Sequence, residues 1–191
     1  MNTRSQAIQS ARQKLELLPL YLDTETTGTD RSSEIIEICI IDHDGTSLYQ
    51  SLVKPASSIP AQTTQIHGIT NEMVKNAPPW YKVWPEIETI LFNRSIGIYN
   101  AEFDLRMLQQ THAKFRMPWR PTLLGNSFCI MKLYAQFYGE WDPIRGSYRW
   151  QSLETAGRQC KIPLLNTHRA LDDARLAREV MHAIANTETR D

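Results

Sequence analysis

Three apolar segments follow one another near the start of the chain, and the first of them ends in two carboxylates. The segments LPLYLDTET (18–26), SEIIEICIID (33–42) and TSLYQSLVKP (46–55) have the length and composition of strands, and Asp44-Gly45 is typical of a hairpin turn. Asp23 and Glu25 lie two positions apart, so a strand directs both side chains to one face. The sequence therefore predicts a sheet with paired acids where its first strand ends.

Helical patterns follow these strands and indicate an α/β protein. RSIGIYN (94–100) is predicted as a buried strand that leads directly into a helix, with Asn100 as the N-cap. Residues 118–148 contain several prolines and glycines and are predicted to be long connections around a short helix near MKLYAQFY. We expect a mixed sheet flanked by helices. The helical segments are TNEMVKNA with Thr70 as cap, PPWYKVWPEIETILF, AEFDLRMLQQTHA, QSLETAGRQCKI with Ser152 as cap, and RALDDARLAREVMHAIA.

The length of 191 residues without a change in composition indicates one domain. We predict one main domain over 18–185, a helical extension over 1–17 and a polar tail over 186–191. In the extension, Ile8, Ala11 and Leu15 recur at helical spacing, which favours a helix lying on the domain over a transit peptide. Its lack of an apolar core excludes a secretory signal.

Composition narrows the class of protein further. No apolar run approaches the roughly 20 residues that span a bilayer, so we predict no membrane segment. Three widely spaced cysteines form neither a disulfide framework nor a paired metal knuckle, which favours the cytoplasm. The chain has 21 basic and 21 acidic residues, a balance that argues against nonspecific coating of DNA but permits a nucleic-acid enzyme.

Paired carboxylates at a strand end have two explanations. They are either a solvated strand end or a cation site, because carboxylate oxygens are the ligands that Mg²⁺ prefers. Asp104 lies in the first turn of the helix after the 94–100 strand, where an acid also complements the helix dipole. Asp172 and Asp173 begin the last helix just after His168, and they too can be explained as acids that complement the helix dipole.

Together these residues resemble a known family. DTETTG with Asp23 and Glu25, YNAEFDLRML with Asp104, and HRALDDA with His168 and Asp173 are similar, in order, to the three motifs of the DnaQ-like DEDDh exonucleases. IHGIT resembles a further element between the first two motifs. The family spacing His-x4-Asp selects Asp173 rather than Asp172. The resemblance runs from about residue 19 to residue 182.

The resemblance implies a ribonuclease H-like fold with a central mixed five-stranded sheet, and 3′→5′ hydrolysis that releases nucleoside 5′-monophosphates. Asp23, Glu25, Asp104 and Asp173 are then expected to hold two divalent cations, Mg²⁺ or alternatively Mn²⁺. His168 is expected to act as the general base. Its alternative is an ordinary capping or surface histidine.

Residues around the acids are candidates for binding the substrate end. Thr26, Thr27 and Gly28 follow the acids and either meet the terminal nucleotide or form a polar turn, and the resemblance gives His67 a terminal-nucleotide role. Asn100 is favoured as a helix cap over a substrate contact. Four aromatic and four arginine residues lie in the stretch 113–150, where no family motif is recognised. Either they bind single strands, or the aromatic residues cover the core and the arginines form a solvated rim. They are Trp119, Trp141, Tyr148 and Trp150 with Arg116, Arg120, Arg145 and Arg149.

Two other functions compete with the nuclease. DHDGT (42–46) matches a motif of haloacid-dehalogenase-like phosphatases with Asp42 as nucleophile, although a hairpin explains the same residues. A DnaQ-like domain that only binds nucleic acid or protein is the second. As partners we expect single-stranded or frayed 3′ ends, with single-stranded DNA slightly favoured over RNA. A polymerase partner or a homodimer is left open.

Overall fold

The computed structural model describes residues 3–188, apart from the side chains of residues 122 and 123. Residues 1–2 of the predicted extension and 189–191 of the predicted tail therefore lie outside the described residues. The strands are β1 Leu20–Thr26, β2 Ile35–Ile41, β3 Ser47–Leu52, β4 Ile96–Ile98, β5 Ser127–Cys129, β6 Trp141–Asp142 and β7 Ser147–Tyr148. The helices are α1 Thr3–Glu16, α2 Ala61–His67, α3 Asn71–Val74, α4 Trp80–Leu91, α5 Ala101–Lys114, α6 Ile130–Tyr138, α7 Leu153–Gln159 and α8 Ala170–Ala185, with a 3₁₀ turn over Pro121–Leu124.

The main sheet has five strands in the order β3-β2-β1-β4-β5. Strands β1, β2 and β3 pair antiparallel, whereas β4 and β5 are parallel to β1. This arrangement confirms the predicted mixed five-stranded sheet. Because β1 and β4 are parallel neighbours, their carboxyl ends lie at the same edge of the sheet. Asp23 and Glu25 lie near the end of β1, and Asp104 lies in the helix that follows β4.

Alternating side chains of β1 enter two cores, one on each face of the sheet. Leu20 and Leu22 pack with α4 and α5, whereas Tyr21 packs with α1, α6, α7 and α8. Ile8 of α1 is fully buried in the second core, so this helix lies on the domain, as its apolar spacing predicted. The central strand is thus buried on both faces until it reaches its acidic end.

The predicted hairpin is present, and it accounts for the phosphatase-like motif. The Asp42 amide donates to the Thr46 carbonyl, and the Gly45 amide donates to the Asp42 carbonyl. The Asp42 carboxylate accepts hydrogen bonds from the His43 amide and from Arg94, both at 2.8 Å. It lies at the end of the β1–β2 pair opposite to Asp23, since Tyr21 pairs with Ile41. Asp42 is therefore an ion-paired turn residue remote from the other acids.

All three predicted N-cap residues lie at helix N-termini, and two of them cap with their side chains. The Thr70 and Ser152 side chains accept hydrogen bonds from the amides of Met73 and Thr155. Asn100 occupies the N-cap position of α5, but its side chain makes no capping hydrogen bond. Its backbone is left-handed, with φ 62° and ψ 49°, a conformation that asparagine tolerates better than most residues. The residue serves the sharp turn between β4 and α5.

Candidate active site

Asp23 and Glu25 lie near the carboxyl end of β1, on the face of the sheet that packs against α8. Glu25 is directly opposite Glu37 of β2, and Asp23 is opposite Cys39. Residues paired across antiparallel strands point to the same side of the sheet, so Glu25 and Glu37 share one face. The result is a group of acids at the edge where β1 ends.

Asp104 reaches this edge from the opposite face of the sheet. It lies in the first turn of α5 and is buried, with 3% of its surface exposed. The Thr24 hydroxyl donates a hydrogen bond of 2.7 Å to Asp104 Oδ1. Thr24 alternates with Asp23 and Glu25 along β1, so its side chain points to the α5 side. A strand residue between the paired acids therefore fixes the position of the third carboxylate.

Asp173 is supplied by α8 and is held by the loop that precedes this helix. Asn166 Nδ2 donates to Asp173 Oδ2 at 3.1 Å, and the Thr167 amide donates to Oδ1 at 3.2 Å. Asp172 instead accepts from the Thr167 hydroxyl on the exposed side of the loop. Asp173 is the buried member of the pair, and it lines the pocket into which Asp23 also points.

His168 lies on the same loop, is exposed, and has a left-handed backbone with φ 53°. Potential ligand atoms of Glu25, His168 and Asp173 all lie within 4.8 Å of one another. The histidine and Asp173 share a pocket with Asp23. The five predicted catalytic residues thus meet from β1, α5 and the start of α8.

The four carboxylates are held in a setting that opposes their charge. Burial, followed by the neighbouring acids, raises the pKa of Glu25 to about 8 and that of Asp23 well above its ordinary value. Burial also raises the pKa of Asp104 to about 7 and that of Asp173 to about 6. Divalent cations would offset this repulsion, and carboxylate oxygens beside an imidazole are a donor set that suits Mg²⁺ or Mn²⁺.

Glu37 is a buried acid that the sequence reasoning missed. Arg169 donates two hydrogen bonds to its carboxylate, at 3.0 and 2.6 Å, and the Ala170 amide donates a third at 3.1 Å. Glu37 is 1% exposed. It therefore anchors the start of α8 to β2 and fixes the segment between His168 and Asp173. A single acid within the otherwise apolar run IIEICII was the available signal, since an unpaired charge is rarely buried.

The predicted substrate-binding threonines form a closed turn. The Thr26 hydroxyl donates to the Gly28 carbonyl at 2.7 Å, and the Thr27 hydroxyl accepts from the Glu34 amide at 3.0 Å. A Cβ atom on Gly28 would lie 2.9 Å from the Ser33 hydroxyl, so this position is tightly packed. This turn comes directly after the paired acids, and both of its threonine hydroxyls already form hydrogen bonds within the protein.

His67 is buried at the end of α2, and its Nδ1 atom accepts a hydrogen bond of 3.0 Å from the Ile69 amide. Its Nε2 atom lies next to the Thr26 backbone and has no partner of regular geometry among residues 3–188. One ring nitrogen therefore fixes the orientation of the imidazole, and the other is left beside the strand that holds the acids.

Comparisons with known proteins show the family of this chain. The exonuclease family model RNase_T matches residues 20–181. The chain belongs to the RNase T family of exonucleases. It is therefore a nuclease, and its resemblance to the DnaQ-like DEDDh enzymes is confirmed. Among the helices of the described chain, none is long and apolar enough to cross a membrane.

Individual relatives cover this RNase T family member to different extents. It is 37% identical over 187 residues to uncharacterized exonuclease CP81 of Escherichia phage 186, covering 96% of each chain. It is 34% identical over 171 residues to the PolC-type DNA polymerase III of Thermotoga petrophila, covering 84% of this chain but only 11% of the polymerase. The structure of exonuclease X in complex with 5′ overhanging duplex DNA has a TM-score of 0.64 and 28% identity, covering 88% of this chain and 92% of that one.

The raised pKa values predict a fall in stability with pH in the presence of a metal chelator. The folded carboxyl groups of Glu25, Asp104 and Asp173 have pKa values of about 8, 7 and 6, above the roughly 4 expected in the unfolded chain. The folded state then binds more protons, so its stability is complete below about pH 4 and is lost as pH rises through these values. Thermal unfolding between about pH 5 and pH 9 measures this loss.

In the same chelator series, Asp23→Asn removes one charge from the group and should raise stability near pH 9 by about 2 kcal/mol, or roughly 4–8 °C in Tm. Asp44→Asn, in the exposed hairpin turn, is the matched control and should leave the pH dependence unchanged. A metal-free protein whose stability rises over this pH range would contradict the proposed charge repulsion.

Arg169→Ala should destabilise the protein by about 2–3 kcal/mol, because Glu37 is then a buried charge without its cation. The figure lies at or below the roughly 3–5 kcal/mol typical of broken buried pairs, because the Arg169 side chain is 38% exposed. Adding Glu37→Gln should recover part of the loss, since the Ala170 amide keeps an acceptor. Urea unfolding of Arg169→Ala, Glu37→Gln and the double variant tests this. A double variant whose loss of unfolding free energy equals the sum of the two single losses would contradict the pairing.

Proposed function

We propose that this protein hydrolyses single-stranded or frayed nucleic-acid ends in the 3′→5′ direction and releases nucleoside 5′-monophosphates. The observation that carries the proposal is the convergence of Glu25, His168 and Asp173 within 4.8 Å, beside Asp23 and Asp104. Such a group has no stabilising role in the fold, because each carboxylate raises the cost of the others. It suits phosphodiester hydrolysis, in which negative charge develops during the reaction.

The four carboxylates are the proposed ligands of two divalent cations, with Mg²⁺ expected and Mn²⁺ as the alternative. Asp23 interacts electrostatically with the other three carboxylates and would contribute to holding both cations. Glu25 and Asp173 would hold a cation near His168, and Asp104 would contribute to holding the other. When bound, such a cation pair would stabilise the charge on the attacked phosphate and on the departing 3′ oxygen.

His168 is the proposed general base. Its exposure and its position against Glu25 and Asp173 allow the imidazole to take a proton from the attacking water. Asn166 and Thr167 restrain the loop through Asp173, and the Glu37–Arg169 pair restrains the residue that follows. The backbone around the base is thus fixed on both sides, which maintains the geometry that proton transfer needs.

The terminal nucleotide is proposed to lie over the turn after β1. His67 is the candidate for its recognition, because Nε2 is free of a regular hydrogen bond and lies next to Thr26. Thr26, Thr27 and Gly28 would contribute backbone and packing contacts, since the threonine hydroxyls are engaged within the turn. Asn100 is the proposed contact on the β4 side, because its side chain does not cap α5.

We favour single-stranded DNA over RNA as the substrate. The support for DNA is the likeness to exonuclease X, whose solved complex contains 5′ overhanging duplex DNA, and to part of a DNA polymerase. That second likeness also supports a polymerase as the proposed partner, while the alternative of a homodimer is kept. The three cysteines are free thiols, in keeping with the proposed reducing cytoplasm.

His168→Ala should lower kcat by about 10²–10⁴-fold on a single-stranded DNA oligomer with Mg²⁺. His43→Ala is the matched control, because His43 is also partly exposed but lies in the hairpin turn with Asp42. Degradation is followed with 5′-labelled and 3′-labelled strands of DNA and RNA. Immediate release of a mononucleotide from the 3′ label, with a ladder from the 5′ label, is the expected pattern.

Two results would contradict the proposal. Release of the 5′ label first would reverse the polarity, and equal turnover of the His168→Ala and His43→Ala variants would remove the general-base assignment. Faster degradation of RNA than of DNA would overturn only the substrate preference.

A further inference from the structure

Strands β6 and β7 form a small hairpin that presents aromatic side chains to solvent. Trp141 and Trp150 are each 53% exposed, and together with Tyr148 they line a groove against Lys132 and Gln136 of α6. Two-residue strands with exposed tryptophans contribute little to a core. The hairpin therefore has a use other than packing.

Trp119, which the sequence grouped with these aromatics, belongs elsewhere. Its ring packs edge-on against His112 at 5.0 Å, in the core under α4 and α5. The two explanations left open for the aromatic group thus divide between its members: Trp119 covers the core, whereas Trp141 and Trp150 face solvent.

Contacts within the protein hold the Trp141 and Tyr148 side of the groove in place. Trp141 and Tyr148 pack edge to face with their centroids 5.2 Å apart, and they are paired across the two strands. The Tyr148 hydroxyl donates to Thr3 of α1 at 3.0 Å, and the Arg149 amide donates to the Glu140 carbonyl. A fixed aromatic surface loses little conformational entropy when a flat ligand stacks on it.

The chain leads directly from the groove to the pocket that contains the acids. Trp150 is followed by Gln151 and Ser152, whose carbonyl oxygens lie 3.0 and 3.2 Å from the Tyr99 hydroxyl that donates to them. Tyr99 and Ser152 both line the acidic pocket. On the α6 side, Lys132 hydrogen-bonds to Glu102 in the first turn of α5, the turn that also carries Asp104.

The charges around the groove favour bases over phosphates as its ligands. Arg149 pairs with Glu140 at 2.8 Å, Arg145 lies 3.8 Å from Asp142, and Lys132 is occupied by Glu102. These cations are therefore already neutralised. What the groove offers is the exposed face of aromatic rings, and only unpaired bases have their own faces free to stack on them.

We propose that the Trp141–Trp150 groove binds the unpaired bases of the substrate strand that lie 5′ of the nucleotide being removed. This inference rests on the proposed function, since the acidic pocket, which the chain reaches two residues after Trp150, would hold the 3′ terminus. The groove selects single strands by stacking and extends the binding site beyond the reacting nucleotide.

The kinetic test compares a dinucleotide with a DNA oligomer of about 12 nucleotides, a length within the range that single-strand surfaces cover. The double variant Trp141→Ala/Trp150→Ala should raise KM for the oligomer by about 10-fold, leave kcat unchanged, and leave dinucleotide turnover unaffected. The increase should be similar at low and high salt, because stacking releases few counterions. Phe92→Ala, which removes a 65% exposed aromatic residue at the end of α4, is the matched control.

A binding measurement separates this inference from the proposed function. With a chelator present, a phosphorothioate oligomer should quench tryptophan fluorescence of the wild type. In kinetics with Mg²⁺, Trp141→Phe/Trp150→Phe should keep the oligomer KM close to the wild-type value. Absence of hydrolysis by the wild type with quenching intact would refute only the exonuclease proposal. An unchanged oligomer KM in the alanine variant, or an equal loss of activity on the dinucleotide, would overturn the proposal that the groove binds the substrate strand.

Discussion

The crowding of four carboxylates where β1 ends is the constraint on which the rest of the structure depends. Asp23 and Glu25 belong to one strand face, Asp104 comes from α5 and Asp173 from α8. Burial raises the pKa of each of them, and the neighbouring acids raise the pKa of Asp23 and Glu25 further. A fold that depended on its own stability alone would not collect these charges, so their common purpose lies in what they bind.

The sheet topology explains how residues so distant in sequence meet. β1 is central and is parallel to β4, so the two carboxyl ends open at one edge. Thr24 then holds Asp104 from one face, while Glu37 and Arg169 hold the start of α8 on the other. Asp104 and the start of α8 are therefore fixed by neutral or oppositely charged neighbours that do not neutralise the group as a whole.

Much of this architecture could be predicted from sequence, because its signals are local. Asp44-Gly45 marked the hairpin, Thr70 and Ser152 marked helix starts, and the spacing of the acids marked the family motifs. The catalytic residues were predictable because the family motifs keep their order along the chain.

The parts that escaped prediction have no local signal or a misleading one. β5, β6 and β7 are only two or three residues long, too short for a period of two to be recognised. Asn100 precedes a helix, as a cap would, but its backbone is left-handed and its side chain makes no capping hydrogen bond. The role of Glu37 depends on a partner 132 positions away, which only the folded chain brings to it.

The most direct test of the central claim is an electron paramagnetic resonance titration with Mn²⁺. The account predicts two ions per chain with the exchange coupling expected at roughly 3.5–4 Å separation, and loss of that coupling in Asp23→Asn. A spectrum of isolated Mn²⁺ that is the same in the wild type and in Asp23→Asn would contradict it.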